Sequence, residues 1–355
     1  MAEKILMKGN EAIGEAAVVA GCKYYFGYPI TPQSELIEYM AKRLPEVGGT
    51  FLQAESEIAA INMVYGAAGA GGRVMTSSSS PGMSLKQEGI SYIAAAELPC
   101  VIVNIMRGGP GLGGIQPGQA DYFQATKGGG HGDYHVIVIA PNSVQEMAEL
   151  TIHAFNLADQ YLNPVMILGD GALGQMMEPA SFHDMPVLSV EKPWATTGMG
   201  ERSKPNIINT LQLKPEMLEQ ANNRLQKKYA ILQEKETRWE EIHTEDAEII
   251  IVAYGIASRI AFTAVEMARA EGLKVGLFRP ITLWPFPKDA LAKVVRGAAA
   301  VLTVELSAGQ MVEDVSLAIQ CAKPVHFYGR TGGMIMSPKE IYQQILKLFE
   351  TKGGK

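Results

Sequence analysis

The first half of the chain alternates short apolar runs with amphipathic stretches. KYYFGYP is followed by a helix from about 32 to 44, RVMTSSSS by a helix across 84–97 and HVIVIAP by a helix from Ser143 to about 161; CVIVNIM and PVMILGD are further apolar runs. Runs that are apolar throughout suit strands covered on both faces, and strands joined through helices run parallel. The alternation therefore predicts an α/β chain built on a parallel sheet with helices on both faces. NEAIGEAAVVAG and ESEIAAINMVYGAAGAGG read as two more helices, the second stopped by its glycines.

The pattern then breaks into three segments. Residues 1–180 carry the first α/β alternation, and residues 181–245 form a linker with a long charged helix whose apolar positions are Leu218, Leu225, Tyr229, Leu232 and Trp239. Residues 246–355 start a second α/β unit at EIIIVAYG, with helices at 258–272, 287–295, 309–320 and 338–350 and strands at KVGLFRP and AVLTVE. A length of 355 residues suits two domains.

A net charge of −6 with scattered basic residues argues against nucleic acid as a partner. Apolar runs are too short to span a bilayer and the N-terminus lacks a signal-peptide pattern, so a cytoplasmic protein without membrane contact is expected. Cys22, Cys100 and Cys321 are far apart and cannot ligate an iron–sulfur cluster together; each is expected to be a small buried residue.

RGGPGLGG (107–114) follows the strand CVIVNIM and fits the letters G-x-G-x-x-G. The dinucleotide mechanism also requires a helix after the third glycine and an acid ending a second strand. Here Ile115-Gln116-Pro117-Gly118 continues the loop and Asp133 precedes its strand; Ile115 also occupies the lysine position of the other phosphate loop. What remains is Arg107 at the carboxyl end of a central strand, where open α/β sheets bind ligands. Its fork suits a carboxylate or phosphate, the alternative being a structural carboxylate partner. Gly169-Asp170-Gly171 begins like a thiamine diphosphate metal motif, but no Asn follows in the required window, so it reads as a turn ending a strand.

GYPITP (27–32), ESEIAAINMVYG (55–66), TSSSSPG (76–82) and Arg107-Gly108-Gly109-Pro110, in this order and spacing, resemble the α subunit of 2-oxoacid:ferredoxin oxidoreductases, most of all the branched-chain (2-oxoisovalerate) class. The resemblance covers the whole chain, since RPITLWPFP and VELSAGQMVEDV are similar to the family's second domain. It implies a thiamine-pyrimidine-binding-type parallel-sheet domain followed by a transketolase-C-terminal-like α/β domain.

The implied activity is CoA-dependent oxidative decarboxylation of a branched-chain 2-oxoacid with reduction of ferredoxin, or its reverse. Subunits acting on 2-oxoglutarate or pyruvate, a transketolase-type enzyme and a non-catalytic assembly subunit stay open as alternatives. Thiamine diphosphate would be shared with a β subunit carrying the diphosphate and Mg²⁺ half-site, with [4Fe-4S] clusters on partner subunits, among them γ and ferredoxin-like δ subunits. By motif register Glu57 would be the carboxyl that hydrogen-bonds the pyrimidine ring and favours its imino tautomer, with Tyr28, Pro29 and Ile30 beside the cofactor. Thr31 would lie next to substrate, Arg107 would grip its carboxylate and Leu112 would wall an aliphatic tail. Without the resemblance, Glu57 is a first-turn acid favoured by the helix dipole and Thr31 a helix N-cap. His131, in a glycine-rich loop, has no assigned role.

Overall fold

Most strands of the main sheet end in the loops singled out above, and the topology gathers those loops on one edge. The computed structural model describes residues 4–183 and 185–353; residues 1–3, 184 and 354–355, at the two chain ends and in the connection, lie outside the described residues. The first part runs β1 (Ile5–Lys8), α1 (Gly9–Val19), β2 (Tyr24–Gly27), α2 (Ser34–Glu46), β3 (Thr50–Gln53), α3 (Glu57–Gly69), β4 (Val74–Ser78), α4 (Ser80–Ala95) and β5 (Cys100–Met106). It continues with α5 (Tyr122–Thr126), β6 (Ile137–Ile139), α6 (Val144–Tyr161), β7 (Pro164–Asp170), α7 (Gly171–Gln175) and β8 (Met177–Ala180). After an extended connection come α8 (Pro215–Lys235) and β9 (Trp239–Ile242). The second unit comprises β10 (Ile249–Val252), α9 (Gly255–Ala270), β11 (Val275–Pro280), β12 (Thr282–Trp284), α10 (Lys288–Val294), β13 (Ala300–Glu305), α11 (Met311–Ala318), β14 (Val325–Gly329) and α12 (Pro338–Gly353).

The large sheet has the order β12-β6-β7-β5-β4-β2-β3, with β5 fully buried at its centre and parallel to both β4 and β7. Helices α1, α2 and α6 pack together, and α3 packs on α4. Because β3, β2, β4 and β5 are adjacent and parallel, the segments that follow them, GYPITP, Glu55-Ser56-Glu57, SSPG and RGGPGLGG, meet at one carboxyl edge. The second sheet has the order β14-β13-β10-β11-β9.

Two strands cross between segments. β12 leaves the second unit to pair antiparallel with β6, and β9 pairs antiparallel with β11. The long helix is accordingly shorter than its charge pattern suggests: it ends at Lys235, and Trp239 belongs to β9. Leu225, Tyr229 and Leu232 form its buried face, whereas Leu218 is 45% exposed. Helix α4 starts at Ser80, earlier than its composition suggests, because Pro81 is accommodated in a first turn whose N–H groups need no helical partner. Gln33, not Thr31, occupies the N-cap of α2. Cys22 and Cys100 are buried, but Cys321 is exposed in the turn after α11, where the chain runs over the surface.

Asp170 closes β7 and caps α7, accepting from the N–H groups of Ala172 at 2.9 Å and Leu173 at 3.2 Å. Burial pushes its carboxyl up to about 6. A folded value above the unfolded one, about 3.9, favours the protonated form on folding, so this contribution is complete below about pH 4 and is lost as pH rises through about 6. Asp170→Asn keeps an acceptor without the charge and is expected to remove roughly 2–3 kcal/mol of that pH-dependent loss, seen by comparing denaturant unfolding at pH 4 and pH 6.5 in both proteins.

Candidate active site

The first turn of α4 is the hinge of the site, because it touches the arginine loop on one side and the buried acid of α3 on the other. Ser80 Oγ accepts from the Arg107 backbone N–H at 3.1 Å and donates to Asp121 Oδ2 at 2.7 Å. Asn104, the polar residue inside the apolar run of β5, donates to the same Asp121 oxygen at 2.9 Å and accepts from the Ser80 N–H at 3.2 Å. Burial raises the Asp121 carboxyl above its ordinary value, against the pull of these two bonds. The network fixes where β5 hands the chain to RGGPGLGG.

Arg107 is 7% exposed. Nη1 donates to the Thr31 carbonyl at 3.0 Å and Nη2 to the Leu112 carbonyl at 2.9 Å, while Nε is buried without a hydrogen-bond partner. Among the described residues no carboxylate pairs with the guanidinium. The structural-carboxylate alternative for Arg107 therefore fails, leaving a buried cation whose charge only carbonyl dipoles offset. Such a group favours an anion supplied from outside the chain.

Thr31 is held beside it by a turn that is itself tied down. The Pro32 carbonyl accepts from Asn10 Nδ2 at 2.9 Å and Gln175 Nε2 at 3.1 Å. Thr31, Tyr28 and Pro29 are exposed and Ile30 is half-buried, forming an open rim at the sheet edge.

Glu57 begins α3, where Ser56 caps by accepting from the Ala59 N–H at 3.2 Å. It is 6% exposed, whereas Glu55 faces solvent. A Cβ on Gly82 would overlap Ser78 Oγ and lie 2.5 Å from Glu57 Oε1, so only glycine lets α4 come this close to the carboxyl. The hydroxyls of Ser78 and Ser79, buried at the same turn, have no hydrogen-bond partner among the described residues. Gly82→Ala is expected to cost about 1–3 kcal/mol through overpacking against the Glu57 carboxyl and Ser78, measured by thermal unfolding of the purified protein.

Leu112 is brought to Arg107 through its carbonyl, but its side chain is 84% exposed. His131 lies elsewhere, near Ser91 (Oγ to Nδ1 3.3 Å) and edge-on to Tyr92, at the far end of α4. The second unit reaches over the loop: Gln119 exchanges bonds with Leu306 (N–H to carbonyl 2.8 Å, Leu306 N–H to Oε1 2.9 Å), and Gly108 lies against Gly332 and Gly333. A cavity of about 660 Å³ lined by Ser84, Gly109, Ser307, Gln310 and Thr331 lies between them.

Residues 15–247 match the family model described as pyruvate flavodoxin/ferredoxin oxidoreductase, thiamine diphosphate-binding, and residues 247–341 match that of pyruvate:ferredoxin oxidoreductase core domain II. The chain belongs to the 2-oxoacid:ferredoxin oxidoreductase family. A member of this family named ketoisovalerate oxidoreductase subunit VorB, from Methanothermobacter marburgensis, is 54% identical over 97% of each chain. The oxidoreductase also superposes with a TM-score of 0.86 and 28% identity on a 2-oxoglutarate:ferredoxin oxidoreductase from Magnetococcus marinus, solved with 2-oxoglutarate, coenzyme A and succinyl-CoA; 98% of this chain is covered but only 65% of that one. A split-gene transketolase, described as an inactive β4 tetramer, shares the fold with a TM-score of 0.60 at 17% identity over 98% of both chains. A pyrimidine-binding-type α/β domain followed by a transketolase-C-like one is thus the architecture of this oxidoreductase. No described helix is long and apolar enough to cross a membrane.

The motifs pointed to Glu57, Thr31 and Arg107. They did not point to Asn104 or Asp121. A lone Asn in an otherwise apolar strand was the available signal, and it carries no meaning until the partner element is placed.

Proposed function

We propose that this chain is the α subunit of a cytoplasmic, CoA-dependent 2-oxoacid:ferredoxin oxidoreductase acting on branched-chain 2-oxoacids. The observation that carries the reading is the buried Arg107 guanidinium, with no carboxylate of its own, beside Thr31 at the carboxyl edge of the sheet. A 2-oxoacid carboxylate supplies the missing anion and orients the oxo group toward Thr31.

The residues present fit thiamine diphosphate. A buried acid faces a glycine whose Cβ would fill its space, and the orphaned buried hydroxyl of Ser78 lies against the same glycine. When bound, the cofactor supplies the carbon nucleophile and the electron sink for decarboxylation. Glu57 would hydrogen-bond the pyrimidine ring nitrogen and hold the proton there, with Tyr28, Pro29 and Ile30 along the ring. The chain offers only one half of such a site, so the diphosphate and Mg²⁺ belong to a β subunit. With three dispersed cysteines, two of them buried, this chain cannot hold a four-thiolate cluster, and the [4Fe-4S] groups that reduce ferredoxin belong to other subunits, γ and ferredoxin-like δ among them.

The branched-chain preference is supported by the name of the 54%-identical relative and by Gly111-Leu112, which offer no hydroxyl to a second substrate carboxylate. The exposed Leu112 side chain forms a substrate wall once a partner subunit covers it. Purification of the native complex tests the reading: thiamine diphosphate, iron and 2-oxoacid-dependent ferredoxin reduction are expected together. Thiamine diphosphate without iron or ferredoxin reduction would instead place the chain in a transketolase-type enzyme.

A further inference from the structure

Lys86 is a buried cation that the proposed function leaves unused. It lies on α4 at 0% exposure, and Nζ donates to Thr76 Oγ1 at 3.0 Å. A buried ammonium is costly unless a counter-charge offsets it, and a threonine hydroxyl supplies none.

The register between α4 and β4 locates that counter-charge. Gly82 stands against Ser78, and one step further Lys86 stands against Thr76. Four residues of helix and two of strand each advance about 6 Å, so the two contacts are successive rungs of one ladder. Glu57 Oε1 sits at the Gly82 and Ser78 rung, and the Lys86 ammonium is bonded at the next, against Thr76. From β4, Thr76 and Ser78 present hydroxyls at these rungs, and Glu88 of α4 is turned away to bond Tyr92 at the surface. Burial lowers Lys86 to about 8 while Glu57 opposes the shift, so the amine is still mostly charged at neutral pH.

We propose that Lys86 is a positioning residue for Glu57, its ammonium serving as the buried counter-charge that holds the Glu57 carboxyl ionised at the Gly82 rung. An ionised Glu57 accepts a hydrogen bond from a protonated ring nitrogen, whereas a neutral one donates. Lys86 thereby decides on which side of that bond the proton rests. Its catalytic meaning rests on the role proposed for Glu57, but the pairing itself does not.

An infrared titration of the purified complex, freed of thiamine diphosphate, reads Glu57 as the carboxyl band missing in Glu57→Gln. In Lys86→Met and Lys86→Gln its midpoint rises by about one pH unit or more, a tenfold change in proton affinity. The reciprocal measurement leaves Lys86 in place: with labelled lysine, the Lys86 amine of Glu57→Gln titrates at lower pH than in the wild type. Unchanged midpoints in these measurements overturn the proposal. A shifted midpoint with unaltered turnover in the Lys86 variants upholds the pairing and overturns the positioning role of Lys86 in the reaction.

Discussion

Glu57→Gln is expected to lower 2-oxoacid turnover by about 10²–10⁴-fold, the usual effect of removing a positioned acid–base group, while the complex still assembles. Glutamine has nearly the same shape, so it fits beside Gly82, and the Ser56 cap of α3 does not depend on the carboxyl. The structural cost is a lost helix-dipole contact, about 0.3–1 kcal/mol, together with the loss of the counter-charge proposed for Lys86. What glutamine cannot do is exchange a proton with a ring nitrogen. Glu55→Gln, two residues earlier on the exposed side, is the control and should turn over normally. Viologen reduction by the two variant complexes, matched for assembly by gel filtration, checks this. Normal turnover in Glu57→Gln would return the residue to an ordinary first-turn acid.

Arg107→Ala is expected to reduce kcat/KM for the 2-oxoacid by about 10²–10³-fold, since loss of one partner of a buried, hydrogen-bonded charge pair costs about 2–5 kcal/mol. Part of the effect comes through the protein, because the side chain also ties the Thr31 turn to the Leu112 carbonyl. Arg107→Lys separates the two contributions. It keeps the charge but loses the fork, so it should recover less than the full rate, with KM raised more than kcat is lowered. Steady-state kinetics on the three complexes would refute the clamp if Arg107→Ala left KM unchanged.

The strand and helix alternation was legible because buried parallel strands leave long apolar runs, as in CVIVNIM and PVMILGD. The strands β1, β3, β8, β9, β12 and β14 were not, since runs of three to five residues are too short to show a pattern and owe their pairing to neighbours distant in sequence. The same limit hid the exchange of β12 into the first sheet and of β9 into the second. Arg107 stood out as an arginine after a buried strand. Its lack of a carboxylate partner is a property of the whole fold and appears only once the Thr31 turn and the Leu112 carbonyl are in place. Asp121 and Asn104 carry no local motif at all; they become part of the site through Ser80, 41 and 24 residues away.

The measurement that tests the central claim most directly is viologen reduction by the purified native complex with 2-oxoisovalerate, pyruvate and 2-oxoglutarate in turn, each with CoA. A clamp with an apolar wall predicts that kcat/KM for 2-oxoisovalerate exceeds that for 2-oxoglutarate by about 100-fold or more, with a smaller margin over pyruvate, because burying a second carboxylate is penalised far more than losing a few methyl groups. Equal or greater efficiency with 2-oxoglutarate would contradict the branched-chain assignment, and no reduction with any of the three would contradict the proposed activity itself.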